Sequence, residues 1–150
     1  MADTTIDRIN PADVGTITHL YNTIFRPERD EAWMARRLEG RHKPLVTVAR
    51  IDSDAVGFYI GYEKKPNTHR AWLIGVVPDM RRHGIGVQLL DAAADWARTE
   101  GYHFMRFEAP TRSHPVIHLA LDCGFDITGT RWDPDMLTTL VTFEKSIVDH

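Results

Sequence analysis

The chain has 150 residues, of which 43% are hydrophobic and 26% charged, and its formal net charge is −3. This composition is ordinary for a globular protein and excludes a disordered or collagen-like chain. The length predicts a single domain over residues 1–150, with a core that removes roughly two-thirds of the unfolded chain's surface from water. The weakly acidic charge excludes the basic footprint of nucleic-acid binding, so we expect no nucleic-acid partner.

Three further expectations concern location and metals. No apolar run approaches the length of a membrane span, and residues 1–10 contain no apolar signal-peptide core, so we expect a cytoplasmic protein without a membrane partner. Cys123 is the single cysteine, which excludes an intrachain disulfide. The 8 histidines are dispersed without a helical His-x₃-His pair, so we expect no metal site.

The first part of the chain predicts one strand followed by two helices. The strand covers residues 4–9. Asn10 followed by Pro11 is typical of a helix N-terminus, with Asn as the N-cap and Pro in the first turn, so we expect the first helix to begin there. A second helix is predicted from Asp30, a candidate N-cap, to Gly40, a candidate stop.

Three strands are predicted next, over residues 45–51, 55–62 and 71–77. Asp52–Asp54 is a turn signal, which makes the first two a hairpin. The third strand is apolar almost throughout, a pattern typical of burial on both faces. Pro78 ends it, because proline cannot donate to a strand ladder.

The remaining chain alternates helices with strands. We predict a helix over 84–99, a strand over 103–109, a helix over 113–123, and strands over 125–132 and 137–145. The complete order is β-α-α-β-β-β-α-β-α-β-β. The strand–helix–strand unit in this half implies a parallel crossover within a mixed α/β (α+β) sheet.

The segment between the predicted strand 71–77 and the predicted helix 84–99 carries the clearest chemical signal. Arg81, Arg82 and His83 lie in a basic turn, and Gly84 and Gly86 open the helix. A helix N-terminus presents free N–H groups and a positive dipole end, which suits a phosphate or pyrophosphate. The glycines are expected to let the backbone approach such a ligand without a Cβ in the way.

Two known phosphate loops do not fit this turn. A Walker loop needs a lysine after its glycines, and a dinucleotide fingerprint needs a third glycine where Leu89 stands. The remaining alternative to an anion site is a plain helix start, with glycines for packing and solvated arginines.

The same segment resembles the acetyl-CoA-binding motif of the GNAT superfamily of N-acetyltransferases. The matching pattern is Val76-x-Pro78-x-x-Arg81-Arg82-x-Gly84-x-Gly86-x-x-Leu89-Leu90. A second segment, Phe107-Glu108-Ala109 and then Ser113 to Gly124-Phe125, resembles the superfamily's strand-5/helix-4 segment. The resemblance covers nearly the whole chain. It implies a GNAT-like, mostly antiparallel central sheet of about seven strands with a splayed parallel pair.

The resemblance also implies a co-substrate and a reaction. Acetyl-CoA would bind with its pyrophosphate on the basic turn and its pantetheine arm along the strand ending at Val76. A backbone N–H near Ile74 would polarise the thioester carbonyl, and a neutral primary amine would attack it directly. The cofactor-binding residues implied in this way are Val76, Val77, Arg81, Arg82, His83, Gly84, Ile85, Gly86, Val87 and Ser113.

Direct transfer needs a base for the ammonium and an acid for the thiolate. Glu108 matches the glutamate that acts as base in bacterial ribosomal-protein alanine acetyltransferases, and the alternative is a structural ion pair with Arg106 or Arg112. Ala120 stands where the family has its tyrosine acid, so the proton comes from elsewhere or from water. Cys123, one helical turn beyond, is a candidate acid, although a lone cysteine is more often a small buried hydrophobe.

Several points stay open. A catalytically silent acyl-CoA sensor of the same fold is the alternative function, because Ala120 cannot donate a proton. The amine acceptor is either a small molecule or a protein, and a homodimer is one of the open oligomeric states. His118 is predicted on the face of its helix opposite Ala120 and is discounted as an acid. His69 and Arg70 are expected to be solvated at a strand end, and the alternative is that they line an acceptor pocket.

Overall fold

The computed structural model describes residues 3–81 and 83–148, so the prediction for Arg82 lies outside the described residues. The element order follows the prediction, with an added 3₁₀ turn at Pro78–Met80. The helices are α1 (Val14–Ile24), α2 (Glu31–Leu38), α3 (Ile85–Thr99) and α4 (His114–Asp122). The strands are β1 (Thr4–Ile9), β2 (Leu45–Ile51), β3 (Asp54–Lys65), β4 (Thr68–Val76), β5 (Phe104–Pro110), β6 (Asp126–Asp133) and β7 (Thr138–Ser146).

Helix α1 begins later than predicted. Asn10 and Pro11 belong to a turn, in which Asn10 Oδ1 accepts a hydrogen bond from the N–H of Ala12 at 2.9 Å. The N-cap is Asp13, whose side chain accepts from the N–H of Thr16 at 3.4 Å. Short polar side chains stabilise both turns and helix caps, so the sequence pattern alone does not separate the two.

The strands form one 7-stranded sheet in the order β1-β2-β3-β4-β5-β7-β6. Every neighbouring pair is antiparallel except β4 and β5, which are parallel and are connected through α3. The predicted mixed, mostly antiparallel sheet with one parallel pair is therefore confirmed.

The parallel pair separates halfway along its length. β4 and β5 pair from Thr68 opposite Phe104 to Ala71 opposite Phe107. Beyond that point the rest of β4 pairs with β3, and the rest of β5 pairs with β7. The two strands diverge from this splay point, and a backbone edge of each faces the gap between them.

A β-bulge in β4 lies next to the splay point. Leu73 pairs with Ile60 and Ala71 pairs with Gly61, so Trp72 is an extra residue without a partner on β3. Trp72 and Leu73 both pack on the α1/α2 side of the sheet, as a result of the bulge. The apolar run of this strand gave no sign of the bulge, since a bulge changes the direction of side chains and not their composition.

Two apolar clusters cover the two faces of the sheet. On one face α3 and α4 pack against the sheet, with Leu89 and Met105 fully buried. On the other face α1 and α2 pack over β2, β3 and β4, with Met34 and Phe58 buried. The cleft described next opens at the splay point.

Candidate functional site

A cleft of about 690 Å³ opens where β4 diverges from β5. Its walls come from the end of α1, the end of β4, the turn into α3, and one face of α4. The lining is mostly apolar and consists of Ile24, Phe25, Ile74, Gly75, Val76, Met80, Arg81, Gly84, Ile85, Gly86, Val87, Ser113, Pro115, Val116, His118, Leu119 and Asp122. A long, largely apolar ligand fits this shape.

The N-terminus of α3 provides backbone donors at one end of the cleft. The N–H of Gln88 donates to Gly84 O at 3.1 Å, which is the first intrahelical bond. The N–H groups of Ile85, Gly86 and Val87 precede that bond, so the helix itself supplies no acceptor for them. Together with the positive end of the helix dipole, they are suited to an anion.

Gly84 and Gly86 are glycines for different structural reasons. Gly84 has φ +76°, a left-handed conformation, and a Cβ there would meet nothing within 4 Å, so the backbone angle requires the glycine. A Cβ on Gly86 would lie 3.2 Å from Leu119 Cδ2. Gly86 therefore allows α3 to pack closely on α4. The reason expected from the sequence was instead the approach of a ligand to the backbone.

The free edge of β4 provides further backbone groups. The N–H of Val77 donates to Val56 O at 2.9 Å, towards β3. Because successive N–H groups of a strand point to opposite edges, the N–H groups of Val76 and Ile74 point towards the cleft. Arg81 Nε donates to Val76 O at 3.2 Å on the same edge, which ties the basic turn to the end of the strand.

Most of the predicted cofactor-binding residues line the cleft. These are Val76, Arg81, Gly84, Ile85, Gly86, Val87 and Ser113. Val77 and His83 are not among the described lining residues. Ser113 is the N-cap residue of α4 and brings the start of that helix to the cleft.

Helix α4 turns a different face to the cleft than its motif suggested. His118, which the helical spacing discounted, lines the cleft, and so does Asp122 one turn later. Ala120 is 0% exposed and Cys123 is 8% exposed, and both belong to the core cluster on the α3/α4 side. Burial raises the pKa of the Cys123 thiol, with smaller contributions from nearby carboxylates. The structure thus gives no support to Cys123 as an acid.

Glu108 lies just beyond the last pair of β4 and β5, at the splay point. Its side chain is only 15% exposed and contacts two guanidinium groups. Oε1 is 3.3 Å from Arg70 Nη2, and Oε2 accepts from Arg131 Nε at 2.5 Å. The alternative of an ion pair with Arg106 or Arg112 is therefore wrong about the partner. Glu108 is paired instead with Arg70 on β4 and Arg131 on β6.

His69 was expected to be solvated, and this prediction is wrong. The residue is 0% exposed on the α3 side of the sheet, where Trp96 and Tyr102 pack against its ring. Its Nε2 is 2.7 Å from the hydroxyl of Tyr59. Burial lowers the pKa of His69 to about 4.

Two features are absent from the described residues. None of the described helices is long and apolar enough to cross a membrane. Within residues 3–81 and 83–148, no three His, Cys, Asp or Glu side chains gather in a metal-binding arrangement.

Several solved structures share this fold at low sequence identity to the chain. The ribosomal-protein-S18-alanine N-acetyltransferase of Escherichia coli aligns with a TM-score of 0.83 and 19% identity, over 99% of this chain and 96% of its own. The IAA acetyltransferase of Bacillus cereus aligns with a TM-score of 0.81 and 20% identity, over 96% of this chain and 99% of its own. The yncA protein of Salmonella typhimurium, solved with its cofactor acetyl-CoA, aligns with a TM-score of 0.74 and 22% identity, over 99% and 96%.

The family follows from the sequence match. No curated protein sequence matches the chain significantly. The model of the acetyltransferase (GNAT) family matches residues 14–125, which include α1, the basic turn, α3, Glu108 and α4. This match covers well over half of the chain, and the splayed sheet and its cleft agree with it. The chain belongs to the acetyltransferase (GNAT) family.

Proposed function

We propose that this protein transfers the acetyl group of acetyl-CoA directly to a primary amine. The observation that carries the proposal is the combination of two donor sets in one cleft. The N-terminus of α3 offers N–H groups suited to a pyrophosphate, and the free edge of β4 offers groups suited to the amides of a pantetheine arm. A single ligand with both chemical features at opposite ends is a coenzyme A thioester.

The residues of the cleft divide the work of binding. The N–H groups of Ile85 to Val87 hold the pyrophosphate, and Arg81 adds positive charge beside them. The N–H of Val76 pairs with an amide of the pantetheine arm. The N–H of Ile74, one residue pair closer to the splay point, donates to the thioester oxygen and stabilises the negative charge that develops there during attack.

Glu108 is the proposed base. It lies one residue beyond the last β4–β5 pair, at the splay point, and on the face of the sheet opposite to α3 and α4. Arg70 and Arg131 hold one oxygen each and so fix the direction of the carboxylate. Glu108 accepts the proton of the substrate ammonium, directly or through one water, before the free amine attacks.

The proton for the departing thiolate comes from water in this proposal. Ala120 has no proton to donate, and the Cys123 thiol is buried with a raised pKa. A free thiol has a pKa of about 8.5, so release as a thiolate followed by protonation from solvent is chemically acceptable near neutral pH.

A calorimetric titration with acetyl-CoA tests the cofactor site. We expect micromolar affinity, about −8 kcal/mol. Gly84→Asn and Gly84→Asp are a matched pair, because both side chains tolerate the left-handed conformation and differ in charge alone. The aspartate variant places a negative charge against the pyrophosphate, so it should bind at least about tenfold more weakly than the asparagine variant. Equal affinities of the two variants would contradict the placement of the pyrophosphate.

Turnover is tested by free-thiol release with a panel of amines. Steady, amine-dependent release that falls at least about tenfold in Glu108→Gln, with unchanged affinity for acetyl-CoA, supports the enzyme and its base. The buried Ala120 favours a second candidate, a silent acyl-CoA sensor. Tight binding without thiol release for every amine supports the sensor instead.

A further inference from the structure

The face of the sheet that carries Glu108 also carries a cluster of cationic side chains. Arg70 and Arg106 are register partners on β4 and β5, so both side chains leave the sheet on one face. Glu108 is two residues after Arg106 on β5 and shares that face. Lys64 lies at the irregularity of β3 beside them, and Arg131 reaches Glu108 from β6. We call Lys64, Arg70, Arg106 and Arg131 the cationic cluster.

The cluster has more positive charge than its surroundings neutralise. The pKa of Lys64 is lowered by burial and then by the charges of Arg70, Arg106 and Arg131, whereas Glu108 is the one anion that opposes them. Other carboxylates lie at the margin, since Glu144 is the cross-strand partner of Arg106 and Asp133 acts on Arg131. At the centre of the cluster, Glu108 faces four cations.

The guanidinium groups also have hydrogen-bond donors to spare. Arg70 Nε is buried and has no hydrogen-bond partner among the described residues. Each guanidinium carries five N–H donors, and one carboxylate accepts only a part of the ten that Arg70 and Arg131 present. The Arg131 side chain is 47% exposed, so its remaining donors are open to a ligand.

We propose that the cationic cluster binds a carboxylate of the acceptor, so that the preferred acceptor is a small amine of the amino-acid type. This inference rests on the proposed function, because it places the acceptor's amine at Glu108. A carboxylate two or three bonds from that amine then reaches the donors of Arg106, Arg131 and Lys64. Such charge-assisted, bidentate contacts are strong and directional. A polycationic amine at the same place has no carboxylate for these side chains and would be repelled by the positive charge that Glu108 leaves unneutralised.

The test compares amines that differ in the carboxylate alone. Free-thiol release from acetyl-CoA is measured with phenylalanine against phenethylamine and with lysine against cadaverine, and spermidine serves as the polycation. We expect kcat/KM for each amino acid to exceed that of its decarboxylated partner at least about tenfold. Equal or faster turnover of phenethylamine, cadaverine or spermidine would overturn the inference while leaving the proposed acetyl transfer intact.

Variants connect the preference to the cluster. Lys64→Gln and Arg106→Gln leave the two direct partners of Glu108 in place, so each should reduce the preference about tenfold, through a higher KM for the amino acid. Lys65→Gln removes the same charge from the next residue of the strand, which lies outside the cationic cluster, and should keep the wild-type preference. An unchanged preference in both cluster variants contradicts the assignment.

A binding measurement keeps the inference testable if no amine is turned over. N-acetylphenylalanine is titrated calorimetrically into the protein with coenzyme A present. Binding that weakens about tenfold in Lys64→Gln and Arg106→Gln, but not in Lys65→Gln, supports a carboxylate site even if transfer itself fails. Absent binding, or binding that is equal in all variants, overturns it.

Discussion

The buried pair of His69 and Tyr59 predicts a loss of stability in mild acid. His69 is fully buried, and burial lowers its pKa from 6.5 to about 4. Between these two values the unfolded chain binds a proton that the folded protein excludes. The stability contributed by keeping His69 neutral is therefore complete above pH 6.5 and is lost as the pH falls towards 4.

The size of this effect follows from the two pKa values. Each pH unit between 6.5 and about 4 changes the free energy of unfolding by about 1.36 kcal/mol, so the full change amounts to about 3 kcal/mol. Urea unfolding between pH 4 and pH 8 measures it, with His69→Gln as the test and His19→Gln, at an exposed histidine, as the control. We expect the free energy of unfolding to rise with pH equally steeply in wild type and His19→Gln, and less steeply in His69→Gln.

An equal pH dependence of the free energy of unfolding in wild type and His69→Gln would refute the reasoning, since it would mean that the folded protein accommodates the protonated ring. If His69→Gln does not fold, the double variant Tyr59→Phe with His69→Leu replaces both polar partners by apolar groups of similar shape. It should fold and should lack the same pH-dependent component.

Two further substitutions test other parts of the structure. Gly61→Ala should lower stability by more than about 3 kcal/mol in urea unfolding, because a Cβ there would lie 2.8 Å from Arg70 O and against the buried Tyr–His pair. Gly129→Ala, where the nearest atom is 3.6 Å away, is the matched strand control, and equal losses for the two glycines would contradict the packing argument. Cys123→Ala should leave kcat within about twofold, because the thiol belongs to the core; a tenfold loss would restore this residue as the acid.

The sequence by itself determined the features whose causes are local. Asp30 caps α2 as predicted, accepting from the N–H of Trp33 at 2.8 Å. The turn predicted after β2 is present at Asp52 and Ser53, and the structure adds that both residues have positive φ. Helix α3 begins directly after its N-cap Gly84, within one residue of the predicted start. In each case the signal and its structural effect lie within a few residues, so the pattern was sufficient.

The motif of the basic turn also identified the family, and with it the splayed parallel pair at which the cleft opens. The periodicity of α3 and the apolar run of β4 gave the order of elements, and with it the parallel crossover. That much of the candidate site could be predicted from contiguous residues.

Only the tertiary structure decided the surroundings of the candidate site residues. Glu108 has its partners on β4 and β6, and the strand order that brings Arg70 and Arg131 to it has no local signature in the sequence. The burial of His69 depends on Trp96 and Tyr102 packing over it. The bulge in β4 and the face that α4 turns to the cleft depend on register and packing between distant elements. Register aligns residues that are far apart in the chain, and so the cationic cluster, with its consequences for the acceptor, emerges only when the sheet is assembled.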